Sequence, residues 1–152
     1  MNLDTMKHLL RPFAFTVALL LAASAARAAD WTEDYAGALA QAKKEHKMVL
    51  LDFTGSDWCI WCQRTDKEVF DTPRFKEYAD KKLILVRLDF PREKPQVEAI
   101  KDQNAKLMDK YGVEAFPTLV VLGPDEKVVY SQLGYKDGGP DAFIDHLTKP
   151  ST

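Results

Sequence analysis

Residues 48–62 read MVLLDFTGSDWCIWC, and the succession of residue types in this stretch decides the fold. Met48 to Phe53 is a short apolar run interrupted at Asp52, the pattern of a strand buried on both faces. Thr54-Gly55-Ser56-Asp57 reads as a turn. A helix is expected to open around Cys59 and run to about Phe70. Strand, turn and helix therefore bring Cys59 to the first turn of a helix. Unpaired N–H groups and the macrodipole there favour negative charge and lower a thiol pKa from its free value of about 8.5. Cys62, three residues on, lies on the same helical face and within reach of the first sulfur. Cys59 is the expected nucleophile and Cys62 the expected buried resolving thiol.

Working outward, Asp30 to about His46 is expected to form an amphipathic helix, with Tyr35, Leu39 and Ala42 at helical spacing. Beyond the dithiol, Asp71-Thr72-Pro73 marks a stop and restart, a cap followed by Pro at the first helical position. The restarted segment, Pro73 to Asp80, carries Phe75 and Tyr78. Leu83 to Phe90 reads as a second strand, and Gln96 to Tyr111 as a helix with Val97, Ile100, Ala105, Leu107 and Met108, ended by Gly112. Pro117–Leu122 and Lys127–Leu133 are expected to pair as a hairpin across the short Gly123-Pro124-Asp125-Glu126 link. A last helix over Asp141–Leu147 turns Ala142, Phe143 and Leu147 inward. Helical crossovers make the first two strands parallel, and the hairpin adds an antiparallel pair. The expected fold is α/β: a central four-stranded mixed sheet flanked by helices, preceded by an N-terminal helix.

The beginning of the chain reads differently. Residues 1–11 are weakly basic, Phe13 to Ala26 is almost wholly apolar, and Ala26-Arg27-Ala28 fits an A-x-A cleavage site. That order is the signature of a secretory signal peptide over residues 1–29, with the folded domain over residues 30–152. The apolar run is shorter than the about 20 residues of a spanning helix, and an uncleaved anchor is the alternative. No later segment is apolar enough to span a bilayer. Without the leader, 18 basic face 22 acidic residues and no basic block stands out, which excludes the electrostatic footprint of a nucleic-acid binder. Export, with the periplasm as the expected compartment, and a monomeric state follow as expectations.

The 152-residue chain has two cysteines, both in Cys59-Ile60-Trp61-Cys62. A bridge between them closes almost no loop and stabilises little, so chemistry explains the pair better than an inert staple does. A zinc site needs two more ligands, for which His46 and His146 are available with carboxylates as weaker candidates. A covalent haem site needs His after the second cysteine, and residue 63 is Gln. No metal and no cofactor are expected.

Leu51-Asp52-Phe53 followed by Trp58-Cys59-Ile60-Trp61-Cys62, then Phe116-Pro117-Thr118 and Gly134, resembles the thioredoxin superfamily from about Trp31 to Lys149. The run Thr54 to Cys62, with Asp89-Phe90-Pro91-Arg92, is similar to bacterial exported single-domain thioredoxin-like proteins. More loosely, it is similar to the C-terminal thioredoxin-like domain of the membrane thiol:disulfide reductant transporter. The resemblance implies a redox disulfide Cys59–Cys62, and it implies a cis bond before Pro117 that offers the Phe116 backbone to an extended substrate segment; read alone, Pro117 is an ordinary residue at a strand start. It also implies that Asp52 is a buried acid taking the Cys62 proton, with Arg87 as a basic partner. The turn from Asp52 to Cys59 is one residue longer than the family spacing, and a strand-end aspartate is the alternative reading. Trp58 is either an apolar platform for a partner protein or packing that shields Cys62. Trp61, between the cysteines, is expected at the contact surface, and Asp57 and Glu68 are expected to be solvated.

The implied function is thiol–disulfide exchange with protein substrates and a protein redox partner. Ile60-Trp61 has neither the His of strongly oxidising centres nor the Gly-Pro of general thioredoxins, and a reducing direction is expected. A redox-sensitive binding module, or a thiol oxidase or isomerase of the same fold, is the alternative.

Overall fold

The computed structural model describes residues 30–149, and the expected signal peptide lies outside the described residues. The first element corrects the sequence reading. Trp31–Thr32 is not the start of a helix but a two-residue strand, β1, paired in parallel with Leu85 and Val86. An aromatic and a β-branched residue suit a pleated edge, and the helix begins only where Asp34 can cap it. That helix, α1, spans Tyr35–Glu45, with the Asp34 carboxylate accepting from Gly37 N–H at 2.9 Å.

The remaining elements follow the expected order. They are β2 (Met48–Thr54), α2 (Ile60–Thr65) running into a π-helical turn (Asp66–Phe70), α3 (Pro73–Lys82), β3 (Leu83–Asp89), α4 (Glu98–Tyr111), β4 (Thr118–Leu122), β5 (Val128–Leu133) and α5 (Gly139–Thr148). The sheet therefore has five strands in the order β1-β3-β2-β4-β5, one more than expected, while the α/β class stands. β1, β3 and β2 run parallel, and β4 and β5 close the other side antiparallel. The restart is where the sequence put it: Thr72 caps α3 through Phe75 N–H at 3.3 Å, and Pro73 opens its first turn.

Strand alternation divides the core between two sheet faces. Val49, Leu51 and Phe53 of β2 face α1 and α4, in a cluster with Ala38, Ala42, Val86, Leu88 and Leu107. Leu50 faces the opposite way, into a cluster of Val69, Phe70, Phe75, Leu85, Leu119 and Phe143 from the π turn, α3, β3, β4 and α5. Asp52 shares the face of Leu50, so a carboxylate stands on the side of the sheet that the π turn covers. On α4 the reading is corrected in detail: Val97 and Ala105 are exposed, and Asn104 is fully buried instead. Its Nδ2 donates to Asp89 O at 3.0 Å, which lets an amide replace an apolar side chain at the end of β3.

Candidate active site

The site is built on the turn between β2 and α2. Cys59 is the N-cap of α2, with extended backbone, and its Sγ accepts from the Cys62 backbone N–H at 3.2 Å. The two cysteines are joined as a disulfide, with Cα atoms 5.2 Å apart and both side chains buried. The helical stretch they open continues through the π turn, whose Asp71 N–H reaches back five residues to Asp66 O at 2.8 Å. A sulfur at this position meets the end of a helix whose first N–H groups have no intrahelical acceptor, the environment that favours a thiolate.

Trp58 packs inward. Its Nε1 donates to Phe90 O at 2.9 Å, its ring meets Phe116 edge-on at 5.8 Å, and the Arg92 guanidinium lies 3.8 Å over it. Gly55 leaves room for the indole, since a Cβ there would stand 2.4 Å from its Cε2. Trp61 is half exposed and stacks on Tyr135 at 5.7 Å. Together with Arg64, Phe116, Gly134 and Asp137 they line an open groove of about 340 Å³ beside the dithiol turn. The Phe116–Pro117 bond is cis, and Pro117 O accepts from Gly134 N–H at 2.8 Å.

Asp57 and Glu68 are more engaged than the sequence suggested. The Asp57 carboxylate accepts from the backbone N–H groups of Arg92, Glu93 and Lys94 at 2.8–3.2 Å, which hold it below the ordinary carboxylate range. It thereby ties the dithiol turn to the loop after β3. Glu68 accepts from the Tyr135 hydroxyl and from Arg64 Nε, and both hold its pKa down. The same bond pushes the Tyr135 phenol up to about 12.

Asp52 is 2% exposed. Burial pushes its carboxyl up to about 7, against the pull of Arg87, whose Nε lies 3.6 Å from Oδ2. Arg87 gives its two terminal nitrogens to Asp66, a residue the sequence reading had not singled out, and Trp31 stacks against it. Burial works against the Arg87 charge, but the bonds to Asp66 and the nearby Asp52 outweigh it and keep the guanidinium firmly protonated. Local patterning could not reveal Asp66, since its partner stands 21 residues away. Among the described residues, no group of three or more His, Cys, Asp or Glu side chains is placed to hold a metal.

Comparison with known proteins gives a consistent picture. The model of a family described as thioredoxin-like matches residues 30–124. The chain is 37% identical over 112 residues to the disulfide bond reductase DsbH of Chlamydia pneumoniae, an alignment covering 74% of this chain and 67% of that protein. It is 32% identical over 113 residues to the thiol:disulfide interchange protein DsbD of Pseudomonas fluorescens, of which it spans 18%. Among solved structures, a DsbH oxidoreductase superposes with a TM-score of 0.73 at 34% identity, covering 80% of this chain and 83% of the other. The fold, the cysteine pair closed at a helix start and these relatives agree: the chain belongs to the thioredoxin-like family, as a thiol–disulfide oxidoreductase.

Proposed function

We propose that the protein is an exported disulfide reductase in which Cys59 attacks and Cys62 resolves. The Cys59 thiolate attacks one sulfur of a substrate disulfide; that S–S bond breaks, and the departing sulfur leaves as thiolate. Cys62 then loses its proton to Asp52 and attacks Cys59 Sγ, releasing the second substrate sulfur as thiolate and closing the Cys59–Cys62 disulfide. Two electrons pass from the dithiol to the substrate, and a protein redox partner must return them. The observation that carries this reading is the N-cap position of Cys59, whose sulfur already accepts the Cys62 N–H. A donor aimed at sulfur stabilises the thiolate that attack requires.

Asp52 suits the base role because a carboxyl with a pKa of about 7 can accept and return a proton at neutral pH. The exposed faces of Ile60 and Trp61 offer apolar contact to a protein substrate. An extended substrate segment would run along Phe116 and Pro117, with Trp58 bracing the Phe116 ring from behind. The reducing direction is supported by likeness to a protein named as a disulfide bond reductase. Residues 1–29, with their basic, apolar and small-residue order, support export as a cleaved signal peptide, to the periplasm.

Reduction of a disulfide-bonded model protein by wild type, Cys59→Ser and Cys62→Ser tests the reading. Cys59→Ser should be inactive, and Cys62→Ser should stall as a covalent mixed disulfide at Cys59. Activity of Cys59→Ser equal to wild type would refute the assignment. An equilibrium constant with glutathione more oxidising than the compartment would refute the direction.

A further inference from the structure

Elements far apart in sequence converge on Arg87. From the π turn, Asp66 accepts from its two terminal nitrogens at 3.0 and 2.9 Å, a two-pronged pair that fixes the plane of the guanidinium. From β1, Trp31 lies against it, with the ring centroid 4.2 Å from the guanidinium carbon. From β2, Asp52 stands opposite in register and presents Oδ2 3.6 Å from Nε. That Nε is buried and has no hydrogen-bond partner. The nitrogen nearest the buried acid is thus an unused donor, in a place where unused donors are costly. Asp66 also touches the dithiol segment directly, because its backbone N–H donates to Cys62 O.

We propose that Asp66 is a positioning residue for the resolving thiol and acts through Arg87. It holds the guanidinium against the Trp31 wall at ion-pair distance from Asp52, short of a hydrogen bond, with Nε–H in reserve for the charged carboxylate. The inference rests on Asp52 being the proton acceptor for Cys62. A guanidinium bonded directly to Asp52 would fix it as a carboxylate and make it a poor base. With no cation nearby, burial would keep it protonated and unable to accept. The intermediate distance leaves both states within reach. When the Cys62 S–H bond breaks and the proton forms an O–H bond on Asp52, Arg87 rests on Asp66. When Asp52 gives that proton back to the Cys62 sulfur, its carboxylate draws Nε–H across the gap. The charged groups acting on Asp52 are Arg87 and Asp89 from β3 and Asp66 from the π turn. Asp89 is engaged by the backbone N–H and hydroxyl of Ser56 at 2.8 and 2.5 Å, which leaves Asp66 to direct Arg87.

The test follows the carboxyl carbon of Asp52 by NMR titration of the oxidised full chain, assigned by its loss in Asp52→Asn. Asp66→Asn loosens the fork, and the midpoint should fall by about one pH unit, the scale of a new close cation. Asp66→Glu, which keeps the fork, should restore it. In an Arg87→Gln background the Asp66→Asn shift should shrink. An equal shift with and without Arg87, or no shift in the wild-type background, overturns the proposal. In the unmutated protein, the Arg87 Nε–H resonance should move downfield with the same midpoint as Asp52, and a resonance indifferent to that titration overturns it without any variant. The pH profile of mixed-disulfide resolution separates the two layers. A profile unchanged by Asp52→Asn removes both the base assignment and the proposal. A profile altered by Asp52→Asn but not by Asp66→Asn removes the proposal alone.

Discussion

Replacing Asp52 by Asn should stabilise the oxidised protein above neutrality and leave it unchanged in acid. The carboxyl has an ordinary pKa of 3.8 and is pushed up to about 7 in the folded protein, chiefly by burial. The folded state therefore holds a proton that the unfolded chain has given up between those values, so stability falls as pH rises through the window and levels off above about 7. Three units at about 1.4 kcal/mol each put the full loss at about 4 kcal/mol, with the pull of the cation 3.6 Å away already included. Asparagine fills the same volume without the charge. It also leaves Arg87 with its Asp66 fork, so no guanidinium is stranded. A gain of about 2–4 kcal/mol at pH 8, vanishing by about pH 4, is the expected result. Urea unfolding of wild type and Asp52→Asn across pH 4–8 measures it, with the disulfide intact so that neither thiol titrates. An equal difference between the two proteins at pH 5 and pH 8 would show that Asp52 is not a strained buried acid.

Gly55→Ala should cost about 1–3 kcal/mol, since the new methyl would stand 2.4 Å from a Trp58 ring already fixed by Phe90, Phe116 and Arg92. Thermal unfolding together with tryptophan emission reads both the loss and the displaced indole; an unshifted emission at wild-type stability would refute the packing argument. Asp57→Ala removes the acceptor of three backbone N–H groups, and hydrogen exchange at Arg92, Glu93 and Lys94 should accelerate while the sheet amides stay protected.

Much of the frame was legible because periodicity and turn chemistry report local structure. The apolar run of β2, the Thr54–Asp57 turn, the Thr72–Pro73 restart and the Gly112 cap each act through near neighbours. The position of Cys59 at a helix start followed from the same logic. β1 was hidden because two residues carry no period, and Trp31 was counted into the helix that Asp34 begins. Asn104 was hidden because an amide breaks the apolar pattern while serving a carbonyl 15 residues away. The environment of Asp52 depends on Asp66, Arg87 and Trp31, three residues that meet only through the sheet register and the path of the helix above it. Arg64, Glu68 and Tyr135 form their cluster beside Trp61 for the same reason: Tyr135 reaches it from the segment after β5, 67 residues beyond Glu68.

The π turn gives the segment between the dithiol and Thr72 the character of a ruler. An α-helix that takes in one residue without lengthening its neighbours becomes a π turn. Here the extra residue lets Asp66 point at Arg87 while Phe70 still reaches Trp31, at 5.1 Å, and Phe75, at 4.9 Å. A residue removed from the π turn would give back a regular helix whose two ends keep their phase, whereas a residue added to or removed from α2 would turn the dithiol relative to Asp66 and Phe70 by about 100°. The π turn is therefore where this segment can change length, and α2 is where a change would set the dithiol against the anchors of Phe70 and Asp66.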